Sequence, residues 1–113
     1  MNTDEAFDPP LERALGYPAR VAILGVLTEA RDQELGASEI AARADLAAST
    51  FHEHRDPLRS LGFLERTSGD GYPTYSLAET PQVEALDELD EALAAFYDES
   101  GQEDESAVRE FVK

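Results

Sequence analysis

SEIAARADLAASTFHEHRDPLRSLGFL, residues 38–64, decides the fold of this 113-residue chain. Ser38 is a good helix N-cap, and Glu39 to Arg43 is a short Ala-rich stretch with an acid in its first turn, so it reads as a helix. Ala44-Asp45-Leu46 interrupts that pattern. Ser49 or a neighbour then caps a second helix, which carries Phe51, Leu58 and Leu61 at helical spacing and ends at Gly62. Two short helices joined by a three-residue turn form a helix-turn-helix, a unit whose second helix can enter a DNA major groove.

What lies on either side of this stretch extends the unit. Phe63 to Thr67 reads as a strand, Ser68-Gly69-Asp70-Gly71 as turn chemistry, and Pro73 to Leu77 as the returning strand. Upstream, Leu35-Gly36-Ala37 is short enough to be a first strand that pairs with this hairpin. Pro18 suits the first position of a helix over Ala19 to Ala30, whose VAILGVL core is apolar on nearly every side. Such a helix is expected to be covered on most faces, with Gly25 at a close crossing of another helix. Leu11 to Leu15 forms one further helical turn, closed by Gly16. Helix, turn, helix and hairpin in this order predict a winged helix-turn-helix: α+β, mainly α, with a two- to three-stranded wing sheet. The expected organisation is an acidic N-terminal arm at 1–10, the DNA-binding domain at 11–78, and an acidic C-terminal helix and tail at 79–113.

The run ILGVL, the 38–64 stretch continued by Glu65-Arg66, and a Gly-rich hairpin ending in TYSL resemble the winged helix-turn-helix regulators of the ArsR and MarR type. They are most similar to the small single-domain versions of extremely halophilic archaea. The resemblance covers roughly residues 15–78 and implies a transcription regulator that binds double-stranded DNA as a homodimer through its terminal helices. Three positions depart from the family pattern. Asp45 stands where Gly is usual because positive φ is needed, a conformation Asp tolerates better than most residues. Arg55 stands where an apolar residue is usual. Pro57 lies inside the second helix, where it removes the bond to the Glu53 carbonyl; the helix is expected either to kink at 53–57 or to divide into pieces at 49–55 and 57–61, with the kink favoured.

Charge is the most unusual feature of the composition. Asp and Glu number 25 against nine Lys and Arg, a net −16, and eight of the nine bases are Arg. Abundant carboxylates, one lysine and many small aliphatic residues suit a surface built for molar salt; the plainer alternatives are an ordinary acidic protein or an acidic tail on a neutral domain. Residues 38–75 hold six acids and four bases, whereas 76–113 hold twelve and two, so the DNA-reading segment is spared most of the excess. Cysteine is absent, which excludes thiol redox chemistry and the Cys-ligated metal sensing common among ArsR-type regulators. No apolar run reaches the ~18 residues of a membrane span and the N-terminus has no basic leader, so a cytoplasmic protein without membrane contact is expected.

His52-Glu53-His54 is the one arrangement that invites a metal reading. Residues two apart on a helix point about 200° apart, so the two rings cannot share an ion, and one His is expected to face DNA and the other the core. No nucleophile elbow, phosphate loop or zincin motif is present, so neither enzymatic activity nor a cofactor is expected. The expected DNA contacts are Ala48, Ser49, Thr50, His52 and Glu53 at the start of the second helix, Arg55 and Arg59 on its flank, and Arg66, Thr67, Ser68 and Tyr72 from the wing. Thr80-Pro81 opens a last helix reaching about Tyr97, on which Leu86, Leu89, Leu93 and Phe96, with Val83, form an apolar stripe. That stripe either packs on its own domain or is the homodimer seam; the resemblance favours the seam. The expected function is a sequence-specific, homodimeric regulator working in high salt, with salt cations as further partners of the acidic surface. The alternative is a winged helix used for protein contact or as an acidic DNA mimic.

Overall fold

A computed structural model describes residues 9–67 and 71–100, with only the backbone of Ser100. Expectations for the 1–8 part of the arm, for Ser68-Gly69-Asp70 and for everything beyond Ser100 lie outside the described residues. The elements run α1 (Pro10–Leu15), α2 (Pro18–Glu29), β1 (Leu35–Gly36), α3 (Ala37–Ala44), α4 (Ala48–Ser60), β2 (Leu64–Thr67), β3 (Thr74–Leu77) and α5 (Pro81–Ser100). The chain divides into two compact units between Val83 and Glu84.

In the first unit the helix-turn-helix is α3 and α4. Both helices end in the same way. At the end of α3 the Leu46 amide donates to the Ala41 carbonyl at 2.8 Å and the Asp45 amide to Ala42 at 3.2 Å. At the end of α4 the Phe63 amide donates to Leu58 at 3.0 Å and the Gly62 amide to Arg59 at 3.1 Å. These nested bonds are Schellman motifs, which place the residue after the helix in the left-handed region. Asp45 accordingly has φ 61°, ψ 46°, and Gly62 has φ 87°. At Gly62 a side chain is also excluded sterically, because a Cβ would lie 2.6 Å from Gln82 Nε2.

The helix starts differ from expectation. α3 begins at Ala37 with Gly36 as N-cap, its amide donating to Glu39 Oε1 at 3.3 Å, so Ser38 is already inside the helix. Because β1 delivers an extended backbone straight into the helix, the first turn forms earlier and Glu39 takes the capping role. α4 begins at Ala48 with Ala47 as N-cap and no side-chain cap, so Ser49 is not the cap either. α4 is one helix from Ala48 to Ser60 that runs through Pro57 rather than two pieces.

The sheet has strand order β1-β3-β2, antiparallel throughout, with Leu35 opposite Tyr75 on one side and Arg66 opposite Tyr75 on the other. Ile23, Leu24 and Leu27 of α2, Ile40 of α3, Phe51 and Leu58 of α4, and Leu35, Leu64 and Tyr75 of the sheet form the core. Phe51 meets Tyr75 edge to face at 5.3 Å, joining α4 to the central strand. The all-round burial expected of α2 does not occur. Its buried residues, Arg20, Ile23, Leu24 and Leu27, follow one helical stripe, Val21 is 54% exposed, and nothing lies within 4 Å of a Cβ added at Gly25. Helices of this unit cover the sheet through one stripe of α2, and among the described residues no helix crosses closely at Gly25.

Within the first unit the start of α5 caps the end of α4. Thr80 Oγ1 donates to the Gly62 carbonyl at 2.6 Å and accepts from the Val83 amide at 3.3 Å, while Gln82 Nε2 donates to the Leu61 carbonyl at 2.8 Å. Val83 is 4% exposed and belongs to this unit's core, so it cannot contribute to a dimer seam as the sequence reading had it. In the second unit α5 carries Leu89, Leu93, Phe96 and Tyr97 exposed, with Leu86 half-buried.

Candidate nucleic-acid interface

The residues of α4 divide by face. Phe51 and Leu58, seven apart, have no exposed surface and anchor the helix in the core. Ala48, Ser49, His52, Glu53 and Arg59 are exposed and Thr50 is half-buried, so the first two turns present small, hydroxyl, imidazole and carboxylate groups outward. On the wing Arg66 is exposed, Thr67 is half-buried and Tyr72 is 87% exposed; Ser68 lies outside the described residues. The structure thus places most of the expected contact residues on the outer side of α4 and on the wing.

Arg55 is the exception. Its Nε donates to Asp56 Oδ1 at 3.2 Å and its Nη1 to His52 Nδ1 at 3.1 Å. The Asp56 carboxylate, with the Tyr75 hydroxyl second, raises the guanidinium above its ordinary value. Arg55 is therefore held by neighbours on its own helix instead of standing open to a phosphate. Asp56 also lies 3.8 Å from Arg59 Nη1, an exposed pair one helical turn apart that is weak but reduces the local positive charge.

Arg55 also sets what His52 can offer. A guanidinium can only donate, so Nδ1 is the acceptor of this contact and Nε2 is left for other partners. The His52 ring is exposed, and an imidazole N–H is of the kind that matches guanine O6 or N7 at a major-groove edge.

His54 points the other way and is half-buried, in keeping with the expected division of the two rings. Its Nδ1 accepts from Arg20 Nε at 3.1 Å, and its ring lies 5.3 Å from that of Tyr17. Arg20 Nη1 donates to the carbonyls of Arg13 and Ala14 at 3.1 and 3.0 Å, and its guanidinium sits 4.4 Å from the Tyr17 ring centre. This group fixes α1 and the start of α2 to α4. Sequence reading missed it, because Arg20 and His54 are 34 residues apart and no local pattern links them. The Asp56 pairing was open to detection from its one-turn spacing to Arg59.

Among the described residues, no group of three or more His, Asp or Glu side chains is placed to hold a metal ion, and no helix is long and apolar enough to cross a membrane.

Residues 21–68, from α2 to the wing, match the IclR helix-turn-helix domain. No curated protein matches the chain. Among solved structures, HlyU from Vibrio cholerae is 28% identical, with a TM-score of 0.61 over 82% of this chain and 97% of that one. The cadmium metal-sensor CMTR from Mycobacterium tuberculosis is 33% identical, with a TM-score of 0.55 over 70% of this chain and 79% of that one. A homodimeric winged helix-turn-helix DNA-binding domain from Mycobacterium bovis, named a possible ArsR-family transcriptional regulator, is 23% identical with a TM-score of 0.62 over 80% of each chain. Residues 21–68 are thus similar to an IclR-type helix-turn-helix domain, and the chain shares the winged-helix fold of these structures.

Proposed function

We propose that the protein is a homodimeric transcription regulator that recognises a specific double-stranded DNA sequence by inserting the start of α4 into the major groove. The observation that carries this reading is the division of α4: Phe51 and Leu58 are fully buried while Ser49, His52 and Glu53 stand exposed on its first two turns. His52 supplies a donor and Glu53 an acceptor for base edges; Arg59 and the wing residues Arg66 and Tyr72 supply backbone contacts. Two features support self-association: the exposed Leu89, Leu93 and Phe96 on α5, and the homodimeric state of the M. bovis domain of the same fold. Work at high salt, with cations shared between surface carboxylates and the phosphate backbone, is supported by the −16 charge and by its concentration outside residues 38–75. The same charge map speaks against a DNA mimic or a purely protein-binding module, which had no reason to spare that segment. A protein of this kind acts where DNA is, in the cytoplasm of a prokaryotic cell.

The test is selection of bound duplexes from a random pool in molar KCl. The protein should enrich a two-fold symmetric site whose halves lie about one helical turn, roughly 34–36 Å, or a multiple of it apart. His52→Ala and Glu53→Ala should change the preferred bases, whereas Arg59→Ala and Arg66→Ala should weaken all sequences alike. Failure to enrich any sequence overturns the assignment, and uniform weakening by all four variants removes base reading from α4.

A further inference from the structure

One carboxylate oxygen stands between the two arginines of α4. Asp56 Oδ1 lies 3.2 Å from Arg55 Nε and 3.8 Å from Arg59 Nη1. Asp56 follows Phe51 by five residues and precedes Leu58 by two, so at about 100° per residue it sits roughly 140–160° from both buried anchors. Ser49 and Glu53 share this outward side. The Asp56 side chain is also the most exposed of the three, 67% against 31% for Arg55 and 44% for Arg59. A phosphate approaching α4 therefore meets the carboxylate at least as soon as the cations paired with it. Arg55 has a second tie, from Nη1 to His52 Nδ1 at 3.1 Å, and Asp56 is the leading cause of its raised guanidinium.

Resting on the reading of α4 as the DNA-contacting helix, we propose that Asp56 is an internal competitor for the DNA backbone. It is a positioning residue that keeps Arg55 off the phosphates and weakens the hold of Arg59 on them. Binding to an arbitrary duplex comes almost wholly from phosphate contacts, so it suffers most when cations are withdrawn. Such a duplex also settles in whichever register gives the most ionic contacts. At the selected site base contacts fix the register, and a freed arginine helps only where a phosphate lies within its reach. Asp56 thus lowers affinity for all DNA and raises the preference for the selected site. Each pair is exposed and weak, so the effect is several-fold rather than orders of magnitude. It survives salt better than repulsion does. At about 1 M the Debye length is ~3 Å, close to the Asp56–Arg55 separation, so the contact persists where repulsion between Asp56 and more distant phosphates has faded.

Asp56→Asn removes the charge and keeps the shape. Titrations of the full chain with the selected duplex and with a random one, between 0.3 and 1 M KCl, should show tighter binding to both. The gain should be about three- to tenfold for the random duplex at the low-salt end, and smaller for the selected one. The salt slope on the random duplex should steepen by about 0.9 for each arginine freed. Asp56→Glu, which keeps the charge, should stay near the wild type. In an Arg55→Gln background the gain from Asp56→Asn should largely disappear, because the cation it releases is gone; a gain of equal size there means repulsion alone and overturns the hold. If Asp56→Asn does not fold, Asp56→Ala gives the same reading. Without DNA, the Arg55 Nε–H resonance should shift in Asp56→Asn and stay in place in Glu53→Gln, and a resonance indifferent to both also overturns the hold. Binding with unchanged slope and preference in Asp56→Asn brings down this proposal alone, whereas a wild type that binds no duplex of any sequence brings down the DNA-binding reading and this proposal with it.

Discussion

Asp45 holds a left-handed backbone that the turn between α3 and α4 requires, with two amide bonds to Ala41 and Ala42 closing around it. A side chain there costs about 1 kcal/mol relative to glycine, partly offset by glycine's greater freedom when unfolded. Asp45→Gly should therefore leave stability unchanged or raise it by up to about 1 kcal/mol, and Asp45→Val should lower it by about 1–3 kcal/mol. Urea midpoints measured in molar KCl distinguish these outcomes, and a clear loss in Asp45→Gly would mean that the carboxylate itself stabilises the turn. Pro57 is a second residue carried against local preference, inside α4 from Ala48 to Ser60. Alanine at 57 would restore a donor for the Glu53 carbonyl. A helical proline costs about 3 kcal/mol, from which the entropy regained by the unfolded chain subtracts up to about 1, so Pro57→Ala should stabilise by about 2–3 kcal/mol in the same measurement. No gain would show that the packing of the ring, which is half-buried, balances the lost bond.

Elements were legible in the sequence where local chemistry decides them and illegible where distant packing does. Gly62 and Asp45 end their helices as their residue types imply, Thr80 caps α5, and the Leu35-Gly36 strand pairs with β3. The helix starts were misplaced by one or two residues because Ser38 and Ser49 are good caps in isolation, whereas the incoming strand and turn set where the first turn closes. The burial of α2 was overestimated for a related reason: an apolar run does not reveal how many elements exist to cover it. On the candidate interface, exposure of Ser49, His52 and Glu53 followed from the anchor spacing of Phe51 and Leu58, but the hold of Arg20 on His54, 34 residues away in sequence, required the fold. The α5 stripe belongs to this scale too. Leu89, Leu93 and Phe96 remain 44–59% exposed, an apolar surface at 3-4 spacing that a second copy would cover. Light scattering in molar KCl should give about twice the 12.4 kDa chain mass, and Leu89→Glu combined with Leu93→Glu should give a folded monomer that no longer binds its site. A wild type that is monomeric at micromolar concentration rules out the seam.

On the scale of the whole molecule, the question is how so acidic a chain holds a polyanion. Each phosphate neutralised by a basic side chain releases counterions, so log K falls with log salt by about 0.9 per contact. Arg43, Arg59 and Arg66 are exposed on the helix-turn-helix and wing, while Arg55 is committed to Asp56 and His52. Three arginines from each chain of a dimer give at most six contacts, hence a slope near −5 and about a 10⁵-fold loss of affinity from 0.3 to 3 M salt. A regulator with that slope could not work in molar salt. At about 1 M the Debye length is only ~3 Å, so repulsion from the acidic residues 76–113 is screened away, but screening alone does not restore attraction. Cations taken up between carboxylates and phosphates do, and they turn the slope the other way. Glu65, exposed next to Arg66 on β2, is placed for this sharing; Asp70, the second candidate, lies outside the described residues. Binding of the selected site should therefore be shallow or rising between 0.3 and 3 M KCl, and Glu65→Gln should make the curve fall more steeply. A steady decline near the full slope in the wild type would sink both cation sharing and adaptation to high salt, while leaving the reading of bases by α4 untouched.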